Sequence, residues 1–161
     1  MIMRIIVFSD VHGHSGHLQR LLQAQPDADG YIFCGDGIKE VERTFKAFPG
    51  LRLYSTPGNC DTFGDETMKF AEFNGVKAAY CHGHGFSVKS GTDDLIIYAA
   101  AHDAKIVLFG HTHETVCKYR DGIYYMNPGA IANGQNVNFG IIDISDNGDI
   151  ACSTTSVRYD R

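Results

Sequence analysis

Five short segments of this sequence set aspartate, asparagine or histidine beside glycine. They are Asp10-Val11-His12-Gly13, Gly35-Asp36-Gly37, Gly58-Asn59-Cys60-Asp61, His82-Gly83-His84 and Gly110-His111-Thr112-His113. Oxygen and imidazole donors together suit Mn, Fe, Co, Ni or Zn, whereas an all-oxygen set would suit Mg or Ca. The best donors of the five segments are Asp10, His12, Asp36, Asn59, His82, His111 and His113. That set is too large for one ion that must also bind a substrate. It is enough for two ions if one carboxylate bridges them, and Asp36, alone between two glycines, is the natural bridge. One ion would take Asp10, His12, Asp36 and His113, and the other Asp36, Asn59, His82 and His111. Two ions about 3.5–4 Å apart can generate hydroxide and clamp both oxygens of an in-line displacement. Two divalent ions, two aspartates and a hydroxide leave about one positive charge, a match for a monoanionic phosphodiester.

Taken singly, each segment has a plainer reading. An Asp-x-His is commonly a turn or cap, a Gly-Asp a turn, and a Gly-Asn a left-handed loop. What sets them apart is where they fall. Each follows a run that reads as a buried strand: Arg4–Phe8, Tyr31–Cys34, Leu51–Ser55, Val76–Cys81 and Lys105–Phe109. Sites in open α/β sheets form beyond the carboxyl ends of strands, and glycine lets the backbone turn there and approach a ligand closely. Around this set, Asp61 is expected to orient the ligands and His84 to sit behind them or touch phosphate. Cys60 is the one cysteine in a ligand loop. His17 and His102 fall on helical patterns and read as surface residues.

The elements that must position these residues follow from periodicity. Leucines 18, 21 and 22 mark a helix over His17–Ala24, and apolar residues 38, 41, 45 and 48 mark another over Ile38–Phe48. The first third is therefore β-α-β-α-β, which implies parallel strands. Asn74-Gly75, Asp121-Gly122 and Asp146-Asn147-Gly148 each divide two strand-like runs and predict hairpins, so the tail reads as antiparallel. Thr92 is placed to cap a helix from Asp93 to about His102. The expectation is a mixed α/β sandwich of two sheets with helices outside.

The 161 residues carry no linker, repeat or low-complexity stretch, so residues 1–161 read as one domain. A net charge of −5 argues against a nucleic-acid partner bound over a broad basic face. No apolar run is long enough to span a membrane, and the segment before Ser9-Asp10 is too short for a signal peptide. Five scattered cysteines without a C-x-x-C pair read as reduced and cytoplasmic. A homo-oligomer is compatible with all of this.

The five blocks, in this order, resemble the calcineurin-like metallophosphoesterases: D-x-H, G-D, G-N-H/C-D, an isolated H and G-H-x-H. The resemblance spans nearly the whole chain. Gly58-Asn59-Cys60-Asp61, His82-Gly83-His84 and Asn127-Pro128-Gly129 make it most similar to the small phosphodiesterases of the YfcE type. It implies a four-layer αββα sandwich, two divalent metal ions, often manganese, and hydrolysis of a small phosphodiester by metal-bound hydroxide. Its ligands would be the seven named above, with Asn59, Cys60, Asp61 and His84 completing the site. Many relatives carry His where Cys60 stands, to protonate the leaving group. A thiol serves that role poorly, so poor leaving groups should react slowly. Phosphomonoester hydrolysis on the same fold is an alternative. So is an assembly role, as in a retromer subunit that resembles these enzymes; such scaffolds lose metal-site residues, and all seven are present here.

Overall fold

In a computed structural model of the chain, residues 1–61 and 66–159 are described. The apolar run at the start forms β1 (Met3–Phe8), followed by α1 (Ser15–Ala24), β2 (Gly30–Phe33), α2 (Ile38–Phe45) and β3 (Leu53–Ser55). β1, β2 and β3 pair in parallel, as two helical crossovers require. Then come β4 (Lys69–Phe73), β5 (Val76–Tyr80), two 3-10 turns at His84–Phe86 and Val88–Ser90, α3 (Asp93–Ala101) and β6 (Ile106–Leu108). The chain closes with β7 (Val116–Arg120), β8 (Ile123–Asn127), β9 (Ala132–Asn133), β10 (Asn136–Ile144) and β11 (Ile150–Val157).

One sheet has the order β11-β10-β1-β2-β3, with β9 paired to β10; the other has β4-β5-β6-β8-β7. Three apolar layers hold them. Ile5, Val7, Ile32, Leu108, Met126 and Ile142 fill the space between the sheets. Ile6, Phe8, Tyr31 and Phe33 point the other way and meet Leu18, Leu21, Leu22, Val41 and Phe45 of α1 and α2. Ala79, Val107 and Phe109 meet Leu95, Ile96 and Ala99 of α3. The alternation within β1 thus feeds two cores, and the result is the four-layer αββα sandwich. Each fully buried leucine of α1 stabilises the fold by roughly 1.5–3 kcal/mol.

The three expected hairpins form: β4–β5, β7–β8 and β10–β11. Asn74 and Gly75 both have positive φ, 48° and 78°, as do Asp121 and Gly122 at 51° and 86°, the backbone that a two-residue hairpin loop needs. The tail is not simply antiparallel, however. β6 lies parallel between β5 and β8, and only the outer strands of that sheet run antiparallel. A pattern of hairpins says nothing about which strand enters between them. α2 stops at Phe45, three residues short of the apolar pattern, and Thr92 begins α3 without a side-chain capping bond. Ile96 N–H donates to the Thr92 carbonyl instead. Among the described residues no helix is long and apolar enough to cross a membrane.

Candidate metal centre

β1, β2, β5 and β6 all end at one rim, and each hands the chain to one of the polar loops. Asp10 follows β1 and Asp36 follows β2; both are nearly fully buried, at 1% and 3% exposure. Two backbone bonds lock the loops together, with Asp10 N–H donating to the Gly35 carbonyl and Val11 N–H to the Asp36 carbonyl, each 2.9 Å. The loops pack too closely for side chains at two points. A Cβ on Gly58 would collide with Asp36 Oδ1, and one on Gly110 with Ser9 Oγ.

Imidazoles from three loops converge on the two carboxylates. Asp10 Oδ1 has His113 Nε2 at 3.2 Å, His12 Nε2 at 3.6 Å and His82 Nε2 at 3.9 Å. Asp36 Oδ2 has His82 Nε2 at 3.2 Å and His12 Nε2 at 3.5 Å. His111 Nδ1 lies 3.2 Å from His82 Nε2. Both carboxylates therefore reach His12 and His82, and the cluster is continuous. Of the nine non-glycine residues with positive φ among the described residues, five are Asp10, His12, Asp36, His111 and His113. Such backbone is costly for a side chain and persists where the surroundings impose it.

The supports around these groups are as ordered as the groups themselves. Ser9 Oγ donates to Asp10 Oδ2 at 2.6 Å, and the His111 N–H donates to the same oxygen at 3.2 Å. His82 Nδ1 is 2.7 Å from the Cys34 carbonyl, to which it must donate, and this orients Nε2 toward the carboxylates. Cys60 N–H donates to Asp36 Oδ1. The Asp61 carboxylate accepts from the N–H groups of Asp36, Gly37, Ile38 and Gly58, at 2.8–3.1 Å. It thereby caps α2 and pins the backbone that carries Asp36.

Burial pushes the Asp36 carboxyl up, but its bonds to His82 and Cys60 more than reverse this, and it lies well below the usual carboxylate range. Burial lowers His82, and the Asp36 hydrogen bond and Asp10 charge outweigh it, so His82 is raised. His111 moves the other way, lowered by burial and by the neighbouring His82 and Lys89 charges. Partial desolvation and the adjacent Asp36 carboxylate raise the Cys60 thiol, which stays protonated near neutral pH.

One atom shows what is missing from this balance. Asp10 Oδ1 is buried with no hydrogen-bond donor among the described residues, although three imidazole nitrogens surround it. An unsatisfied buried carboxylate oxygen is expensive; a cation bound among these nitrogens would satisfy it. Three sets of donors lie within 4.8 Å of one another: Asp10, His12 and His113; Asp10, Asp36 and His82; and His12, Asp36 and Cys60. The residues fit a divalent ion of the mixed nitrogen and oxygen type.

Of the seven expected ligands, Asp10, His12, Asp36, His82, His111 and His113 meet in this cluster. Asn59 lies in the adjoining loop, and its amide nitrogen contacts Cys60 Sγ at 3.9 Å. His84 packs on His82 and His111, with ring centres 5.5 and 6.2 Å away, and its Nδ1 is 3.7 Å from Glu66 Oε1. His17 is not a plain surface residue: its Nε2 lies 3.1 Å from the Gly134 carbonyl. His102 bonds the Tyr98 carbonyl and stacks on that ring at the end of α3.

Sequence reasoning passed over Ser9 and Glu66, and quoted Asn127 only within a motif. Glu66 accepts from the N–H groups of Gly83 and Gly85, holding the loop that follows β5. Asn127, fully buried, donates to the Gly110 carbonyl and to Thr112 Oγ1, holding the loop of His111 and His113. Ser9 was legible in principle, as a hydroxyl beside Asp10 at a strand end. Glu66 has no such signal.

Carboxylates and imidazoles are thus gathered at the strand ends of a two-sheet sandwich, a donor set that fits a divalent metal. Residues 3–147 match the calcineurin-like phosphoesterase superfamily domain, and the chain belongs to that family. Among curated relatives, phosphodiesterase YfcE of Escherichia coli K12 is 25% identical over 171 residues, covering 88% of each chain. Among solved structures, a conserved protein from Streptococcus pneumoniae TIGR4, titled a predicted phosphoesterase, superposes with a TM-score of 0.75 at 20% identity, covering 98% of this chain and 99% of its own. A mutant of Vps29 from Entamoeba histolytica gives 0.70 at 19% identity, covering 96% and 99%. At these identities the solved structures speak for the fold alone.

Proposed function

We propose that the protein is a phosphodiesterase dependent on two divalent metal ions, most simply manganese. The observation that carries this is the convergence of three imidazoles on a buried carboxylate pair, with a fourth, His111, against His82 and Asp10 Oδ1 left without a donor among the described residues. Asp10, His12, Asp36 and His113 would hold one ion, and Asp36, Asn59, His82 and His111 the other. When bound, the ions supply an activated hydroxide and neutralise charge on the phosphoryl oxygens.

The chain's own residues do the rest. Asp36 faces both groups of imidazoles and keeps its charge down to low pH. Ser9, the Cys34 carbonyl and Asp61 hold Asp10, His82 and the Asp36 backbone in place before any substrate arrives. Cys60, protonated beside Asp36, is the group nearest a proton donor on its side of the cluster, and a weak one. This reading treats residues 1–161 as one domain acting in the cytoplasm, on a small diester rather than along a nucleic acid.

The likeness to Vps29 favours weighing an assembly role as well. The donor set alone does not separate the two readings, since a wild-type Vps29 from Entamoeba histolytica has been solved with zinc; activity does. The test is hydrolysis of bis(p-nitrophenyl) phosphate against p-nitrophenyl phosphate by protein loaded with Mn, Ni, Fe or Mg. Diester turnover well above monoester turnover supports the reading. Metal binding with neither activity would favour the assembly role.

A further inference from the structure

A cleft of about 540 Å³ opens beside the metal cluster on the His113 side. The loop after β6 contributes His113 and Glu114 to its lining; β9, β10 and β11 contribute Asn133, Asn138 and Ser156. His113 belongs to both places, since its Nε2 is 3.2 Å from Asp10 Oδ1. A phosphoryl group at the cluster would therefore send one of its two ester arms into this cleft. A volume of this size is ample for a substituent of three to six carbons with its polar groups.

The lining has a definite chemical bias. Asn138 is 8% exposed, and its Oδ1 is buried with no donor among the described residues. Leaving a buried amide oxygen unpaired is costly unless a ligand brings the donor. Asn138 and Ser156 face each other across the β10–β11 pair, so the oxygen and the hydroxyl sit on adjacent strands. Glu114 adds a carboxylate, and the described lining includes no lysine or arginine. Acceptors without cations welcome an uncharged arm that carries O–H groups and repel one that carries a further phosphate. The turn that follows Asn133 is held by the His17 contact to the Gly134 carbonyl, so this wall is tied to α1.

Resting on the phosphodiesterase reading, we infer that this cleft is a specificity subsite for one arm of the diester, and that it selects a neutral, hydroxyl-bearing arm of glycerol or sugar type. The Asn138 side chain lines the cleft, and a turn of its amide brings Oδ1 to accept a hydrogen bond from an arm hydroxyl. Asn138 is a binding residue here and takes no part in the chemistry at phosphorus.

The test uses two ligands that differ only in those hydroxyls: the phenylphosphonate monoesters of glycerol and of propanol, titrated calorimetrically into the Mn-loaded protein. The glycerol ester should bind about tenfold more tightly than the propyl ester, the worth of one good hydrogen bond to a buried acceptor. In Asn138→Leu the ratio should fall to about one, while the propyl ester binds as before. Because Asn138 Oδ1 has no partner to lose among the described residues, this variant should melt no lower than the wild type; should it fail to fold, Asn138→Ala, which also removes the acceptor, is read for the same fall in the ratio. Equal binding of the two esters in the wild type, or an unchanged ratio in Asn138→Leu, overturns the subsite. Hydrolysis of bis(p-nitrophenyl) phosphate is measured on the same samples. Its absence beside a tenfold preference would sink the catalytic reading and leave the subsite standing, and its presence beside equal binding would do the reverse.

Discussion

The two faces of the metal cluster are built differently. Asp10, Asp36 and His82 form a floor that is almost wholly buried, and each has a fixed partner: Ser9 Oγ, the Cys60 N–H and the Cys34 carbonyl. His12 and His113 form the open side, with 38% and 49% of their side chains exposed. The floor is part of the core, so it is in place with or without a cation. The open side is carried on the loops that follow β1 and β6, and its half-exposed imidazoles are free to meet both ion and substrate. Folding and ligand binding thus draw on the same cluster in different proportions, and substitutions on the two faces should separate stability from turnover.

Removing Asp36 should have the largest effect, because it is the carboxylate proposed to bridge the two ions. Asp36→Ala is expected to lose one or both metal ions and to cut diester turnover by about 10³-fold or more. Metal content and rate on the same sample check it. Retention of both ions with ordinary turnover would remove Asp36 from its bridging place.

The sharpest break of the comparison itself is His82→Ala against His113→Ala in metal-free protein. Losing His82 empties a buried site and leaves the Cys34 carbonyl without its donor, a loss of about 2–4 kcal/mol of stability. Losing His113, half exposed, should change metal-free stability by less than about 0.5 kcal/mol. Both should lower turnover by about 10²-fold. Urea denaturation in chelator reads the difference, and equal destabilisation by the two would mean that the faces are not distinct.

Cys60 sharpens the account of the open side. The thiol stands beside Asp36 and His12 but is a poor proton donor, so an aryl leaving group should not need it. Cys60→Ser should keep aryl diester hydrolysis within about threefold. Cys60→His should raise the relative rate on a cyclic nucleotide by up to about 10²-fold, the low end of general acid help. Loss of aryl activity in Cys60→Ser with both metals bound would give the sulfur a direct chemical role. Smallest of all is His17→Ala, which removes a contact to the Gly134 carbonyl and should alter aryl diester turnover by less than about twofold. A drop as large as that of Asp36→Ala would mean that the reacting centre lies elsewhere.

Much of the floor and the open side could be read before the fold was known, for a physical reason. Ligands at strand ends leave a local trace, an acid or imidazole next to glycine after an apolar run, and His12, Asp36 and His82 all carry it. The hairpins were legible for the same kind of reason, since Asn74-Gly75 and Asp121-Gly122 are local demands for positive φ. What stayed hidden is non-local. The parallel insertion of β6 between β5 and β8 joins segments that no turn connects. The grip of Glu66 on Gly83 and Gly85 is made through backbone N–H groups, which every residue offers, so the sequence marks no partner for it. Asn138 is the same case reversed, a strand residue whose meaning lies in having no donor near it.

The claim on which all of this rests is that the cluster is a two-metal catalytic centre. The direct measurement is metal content by mass spectrometry together with bis(p-nitrophenyl) phosphate hydrolysis, on protein stripped with chelator and then titrated with Mn. The account predicts no turnover in the stripped protein, and activity that rises to its plateau at two ions per chain. Full turnover with metal shown to be absent, or a plateau reached without any bound ion, would contradict it.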